Sequence, residues 1–87
     1  MTAYVAVFKD LKGKYLPNFC SDESAHEANL ALGKELNYEL VYQNNFRSYE
    51  PCLVVEKFIR DANEKGKFDA KDLESRLGVK KWNLKYH

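Results

Sequence analysis

The sequence is short of cysteine, proline, clustered glycine and any strong excess of one charge, and each shortage removes a class of protein. Cys20 and Cys52 are too few for the disulfide framework that staples small secreted domains, and they form no Cys-x-x-Cys pair. Cysteines at 20 and 52 and histidines at 26 and 87 also lack the close ligand pairs of a structural zinc site, so neither a metal nor a cofactor is expected. The four glycines stand alone at 13, 33, 66 and 78, which excludes a glycine-rich phosphate loop. The apolar run at residues 4–8 is too short for a signal peptide or for the ~20 residues of a membrane span. No membrane association is therefore expected, and the cytoplasm is the default location. Linkers, internal repeats and low-complexity tracts are missing too, so residues 1–87 read as one domain.

Charge excludes two further classes. Fourteen Lys and Arg oppose thirteen Asp and Glu, which is neither the excess of a general nucleic-acid coat protein nor that of an acidic DNA mimic. The distribution is less even, because residues 1–55 hold five basic and seven acidic side chains, whereas residues 56–87 hold nine and six. From Arg76 onward four basic residues and no acidic one occur.

What the chain does have is a core. Hydrophobic residues make up 45% and aromatic residues 14%, well above the composition of disordered chains. Residues 4–9 are β-branched and aromatic almost without a break, which predicts a central strand buried on both faces. Asp10-Leu11-Lys12-Gly13 signals a turn, and residues 14–19 return as a second strand that Pro17 confines to a sheet edge. Ser21-Asp22-Glu23-Ser24 opens a helix over about residues 22–36, in which Ala25, Ala28, Leu32 and Leu36 form the stripe expected to face the core and Asn37 the stop. Residues 38–43 alternate as a strand, Asn44-Asn45 suits a tight turn, and residues 46–49 are expected to pair back. Pro51 then starts a second helix with Val54, Val55, Phe58, Ile59 and Ala62 on one face, ended by Gly66. Asp69 caps a short third helix with Leu73 and Leu77 inward, ended by Gly78. Residues 79–87 fit both periodicities, and the strand is favoured because Trp82, Leu84 and Tyr86 alternate with polar residues. The expected fold is α+β: a small, mostly antiparallel sheet with two main helices and one short helix on one face, nearest to a ferredoxin-like plan.

No complete catalytic motif emerges, and the chain is not expected to be an enzyme. Cys20 and Cys52 fall at expected helix starts, where a helix dipole lowers a thiol pKa, but they read as ordinary structural thiols. His26 can be imagined beside Cys20, yet no orienting acid or oxyanion loop accompanies them, and it reads as a solvated side chain. The carboxylates gather where helix N-termini attract negative charge.

The stretch Phe68-Asp-Ala-Lys-Asp-Leu-Glu-Ser-Arg-Leu-Gly-Val-Lys-Lys-Trp-Asn-Leu84 resembles the helix-turn-helix pattern, in which Leu-x-x-x-Leu-Gly-Val precedes a recognition helix. That resemblance implies DNA binding, with Lys80, Lys81, Asn83 and Lys85 toward phosphates or base edges and Val79, Trp82 and Leu84 packed inward. The chain departs from the pattern at Glu74, where a small residue usually lets the helices approach.

The aromatics give the preferred expectation. Tyr, Trp and Arg dominate protein interfaces, and six tyrosines with five phenylalanines and one tryptophan exceed what so small a core encloses. The chain is read first as a non-enzymatic protein-binding module that meets its partner through Tyr42, Phe46, Arg47 and Tyr49. Its size suits a small accessory or inhibitory protein, of the kind bacteriophages encode against host machinery.

Overall fold

The computed structural model describes residues 2–78. Its elements are β1 (Ala3–Lys9), β2 (Tyr15–Cys20), α1 (Glu23–Glu35), β3 (Glu39–Phe46), α2 (Glu50–Lys65) and α3 (Ala70–Leu77). The three strands form one antiparallel sheet in the order β2-β1-β3. The expected α+β class, with two main helices and one short one, is what the chain forms. The described order, β-β-α-β-α-α, differs from the β-α-β-β-α-β of a ferredoxin-like plan.

Local chemistry explains the element ends. The Asp10 carboxylate accepts from the backbone N–H of Lys12 and Lys14, and Gly13 takes a φ of 87°, which together close the β1–β2 hairpin. Asp22 caps α1 by accepting from Ser24 N–H, and Asn37 follows the helix at a φ of 62°, as the sequence anticipates. Pro51 lies in the first turn of α2 and Gly66 ends it left-handed. Asp69 accepts from Lys71 N–H to open α3, and Gly78 closes it.

β1 is the middle strand, and its side chains alternate between two separate layers. Ala3, Val5 and Val7 join Tyr15, Tyr42 and Phe46 against Cys52, Val55, Phe58, Ile59 and Ala62 of α2 and Leu73 and Leu77 of α3. Phe68 closes this layer by packing on Tyr15 and edge-on against Phe58. Tyr4 and Phe8 point the other way: the Tyr4 ring stacks on His26, and Phe8 lies under Gly33, both of α1.

The helices therefore divide between the two faces instead of sharing one. The reason is topological. β2 and β3 both run antiparallel to β1 and so parallel to each other, and a parallel connection needs a crossover. α1 is that crossover and occupies one face, leaving the other to α2 and α3.

β3 also differs from expectation. Asn44 and Asn45 do not turn; they continue the ladder opposite Val5 and Tyr4, and Phe46 pairs with Ala3. Side-chain bonds hold them extended, because Asn44 Nδ2 donates to the Tyr42 hydroxyl at 3.0 Å and Asn44 Oδ1 accepts from Asn45 N–H at 2.8 Å. Residues 46–49 accordingly do not pair back as a strand, and α2 begins at Glu50. The irregularity in β3 sits earlier, where the register shifts opposite Val7 and Phe8 so that Tyr42 faces Val7 and Leu40 faces Phe8.

Two contacts tie the layers together. Asn63 of α2 accepts from Tyr15 N–H at 2.7 Å and donates to Tyr15 C=O at 2.9 Å, imitating a neighbouring strand on the edge of β2. Asn63→Ala leaves both backbone groups part-buried without partners, so a loss of about 2 kcal/mol is expected in a urea melt. Gly33 allows α1 to lie on Phe8: a Cβ there would meet Phe8 Cε1, and Cζ at 2.6 Å. Gly→Ala inside a helix ordinarily stabilises by about 0.5–1 kcal/mol, but here overpacking reverses the sign, and Gly33→Ala should destabilise by about 1–3 kcal/mol. A stabilised Gly33→Ala would refute this account of how α1 docks.

Candidate functional site

The surface of α1 is unusual in what it exposes. The helix meets the sheet through a narrow line, with His26 and Gly33 buried and Ala25, Asn29 and Leu30 half-buried beside them. The expected core stripe is rotated away. Ala28 is exposed, and Leu32 and Leu36 are 53% and 43% exposed. The close approach permitted by Gly33 fixes this rotation, because the face that carries the glycine must be the one nearest Phe8.

Leu32 and Leu36 form one wall of an open groove of about 340 Å³, with Leu16 and Pro17 of β2, Tyr38 and the edge of Phe8 completing it. Leu40, paired with Phe8 on β3, is also exposed, but it lines a separate recess with Tyr15, Phe68 and Ala70. Exposed apolar area of this kind, gathered in one place, marks contact surfaces more than scattered single residues do.

The aromatic surface expected at residues 42–49 is distributed differently. Tyr42 and Phe46 face the α2/α3 layer, and Phe46 retains 1% of its exposure. Burial raises the Tyr42 hydroxyl above its ordinary pKa, the bond from Asn44 opposes that, and the Glu74 carboxylate adds to it. Arg47 and Tyr49 are exposed, beyond the end of β3. The structure thus separates the four residues: two belong to the core and two to the surface. The other expected set, Lys80, Lys81, Asn83 and Lys85, lies outside the described residues, as does the strand-or-helix question for residues 79–87. Of the helix-turn-helix resemblance, only α3 and its left-handed Gly78 fall within them.

The cysteines and His26 also settle into place. Cys52 is buried in the first turn of α2, and burial pushes its thiol up to about 11, opposite to the depression expected at a helix start. Cys20 is half-buried; its Sγ donates to Asp22 C=O at 3.6 Å and lies 4.0 Å from Asn29 Nδ2. His26 is 8% exposed and stacked on Tyr4 with ring centroids 5.1 Å apart, which corrects its reading as a solvated side chain. No three His, Cys, Asp or Glu side chains among the described residues are grouped so as to hold a metal ion. No described helix is long and apolar enough to cross a membrane.

The chain matches no family model, no curated protein and no solved structure.

What sequence reasoning missed was the rotation of α1. Its signal was Gly33, the one glycine that marks neither a turn nor a helix end, seven residues after His26 and therefore on the same helical face. A thiol measurement tests the placement of the cysteines. At pH 8 a thiol with a pKa near 11 is about one part in a thousand thiolate, so iodoacetamide should modify Cys20 well before Cys52, and both rapidly in denaturant. Equal rates in the folded protein would contradict the burial of Cys52.

Proposed function

We propose that this chain is a non-enzymatic protein-binding module whose contact surface is the apolar groove between α1 and β2. The observation that carries the reading is the exposure of Leu32 and Leu36 at helical spacing beside Leu16, Pro17 and Tyr38. A helix gains by turning its leucines inward, at about 1.5–3 kcal/mol for each one fully buried. Here they face outward while a histidine and a glycine take the inner positions. An apolar segment of a partner laid into the groove would recover that burial, with Phe8 as its floor and the polar ends of Asn18 and Asn29 at the rim.

This reading keeps the function inferred from the sequence and moves its surface. Tyr42 and Phe46 support the sheet, while Tyr49 and Arg47 lie on the surface beyond β3.

The test places a photo-crosslinking amino acid at Leu36 and, separately, at Tyr49, and expresses each variant in cells. A discrete adduct is expected from position 36, lost when Leu32→Glu is added and Tm changes little. The two leucines are already half in water, so the substitution should alter stability by less than about 1 kcal/mol. An adduct from position 49 alone would return the contact surface to the end of β3, and an adduct that survives Leu32→Glu would remove the groove from the account.

A further inference from the structure

At the opposite end of α1 from the leucines is a second recess, of about 320 Å³, lined by Tyr4, Glu23, His26, Glu27, Gln43, Asn44 and Asn45. Its geometry follows from two registers. Glu23, His26 and Glu27 stand at i, i+3 and i+4 of the helix and so share one side of it. Tyr4 pairs with Asn45, and Gln43 pairs with Ala6, so Tyr4, Gln43 and Asn45 share the sheet face that α1 covers.

The chemistry of this lining is one-sided. Glu23 and Glu27 contribute two carboxylates, exposed and without an ion pair among the described residues. Gln43 and Asn45 offer side-chain amides that make no hydrogen bond among the described residues. The amide of Asn44 is already engaged, its nitrogen with the Tyr42 hydroxyl and its oxygen with Asn45 N–H. Among the described residues, no lysine or arginine lines the recess.

His26 sharpens the question. It is more than nine-tenths buried, yet neither ring nitrogen has a hydrogen-bond partner among the described residues. Buried polar groups are nearly always paired, and one that is not calls for a missing partner. A neutral imidazole presents one acceptor nitrogen and one N–H, and the ring borders an open, acceptor-rich space.

We infer that this recess binds a guanidinium group. Such a group is planar, permanently charged and carries five N–H donors and no acceptor, which complements two carboxylates, two amide oxygens and an imidazole acceptor. Its plane also stacks on aromatic rings, and the half-buried Tyr4 ring, stacked on His26, lines the recess. The N-terminal end of α1 opposes a cation with about half a positive charge, but two full carboxylate charges at the recess outweigh it. An anion meets both carboxylates and is excluded. An ammonium meets the same charge with three donors and no plane, and so fits less well.

This inference does not depend on the leucine groove, and its test reads a different signal. The ring resonance of His26, separated from that of His87 by the His87→Gln variant, is followed by NMR at low salt. The probes are N-acetylarginine amide and, in parallel, N-acetyllysine amide. A saturable shift with the arginine probe is expected, with half-saturation on the order of 1 mM for a ligand of this size. The double variant Glu23→Gln and Glu27→Gln should weaken it at least about tenfold, the effect of losing a charge-assisted hydrogen bond. Both positions are exposed, so the fold is retained and the loss reports on binding. A short arginine-containing peptide that binds more tightly than the free amide identifies a protein source, and equal affinities identify a small molecule; either upholds the site. A shift that never saturates, one equally strong with the lysine probe, or one unchanged in the double variant overturns the inference.

Discussion

β1 must be covered twice, and most of this molecule follows from that constraint. Ala3, Val5 and Val7 project to one side of the sheet, Tyr4, Ala6 and Phe8 to the other, and five of these six side chains are buried. Three strands cannot shield both faces of the middle one by themselves. At roughly 1.5–3 kcal/mol for each large apolar side chain removed from water, leaving either side of β1 bare would forfeit several kcal/mol, a substantial part of what holds a domain of this size together. The helices are therefore distributed by the need of one strand. Among the described residues, α2 and α3 bring eight buried apolar residues to the Val5 side, whereas α1 alone covers the Phe8 side.

That unequal division explains the character of α1. A single crossover helix over a large aromatic ring can come close enough only where its own surface is small, and Gly33 supplies that point. Once the glycine is placed over Phe8, the 100° step of the helix fixes every other residue. His26 falls on the same line and is drawn onto Tyr4, and Leu32 and Leu36 are carried outward. The polar recess and the apolar groove are thus two consequences of one close approach.

Most of the secondary structure was legible in the sequence because it rests on local chemistry. Asp22 and Asp69 as caps, Gly66 and Gly78 as stops, Asn37 at positive φ and the continuous apolar run of β1 all act within a few residues of themselves. β3 was misjudged where a local rule met a longer-range one. Asn44-Asn45 satisfies the composition of a tight turn, but β1 offered ladder partners as far as Ala3, and Phe46 had a core position to fill. The rotation of α1 was harder to see, since the leucine periodicity is real and names a stripe, while only the distant Phe8 ring decides which stripe faces inward. For the same reason the candidate contact surface moved. Aromatic content alone could not separate Tyr42 and Phe46, which complete the sheet's core layer, from Tyr49, which does not.

The two ends of α1 also make opposite demands on a ligand. At the C-terminal end the described lining of the groove offers shape and apolar area without charge, which supports affinity but discriminates poorly between apolar surfaces. At the N-terminal end the recess offers charge and directed acceptors over a small area, which contributes little where solvent screens it but rejects a wrongly charged partner strongly. An α-helix rises 1.5 Å per residue, so from Glu23 to Leu36 the two lie about 20 Å apart. One extended segment of about six residues spans that distance. A ligand bearing an apolar anchor and a guanidinium at that separation would engage both ends of the same helix. Joining the two would raise its effective concentration at the second end once the first was held, without any new contact.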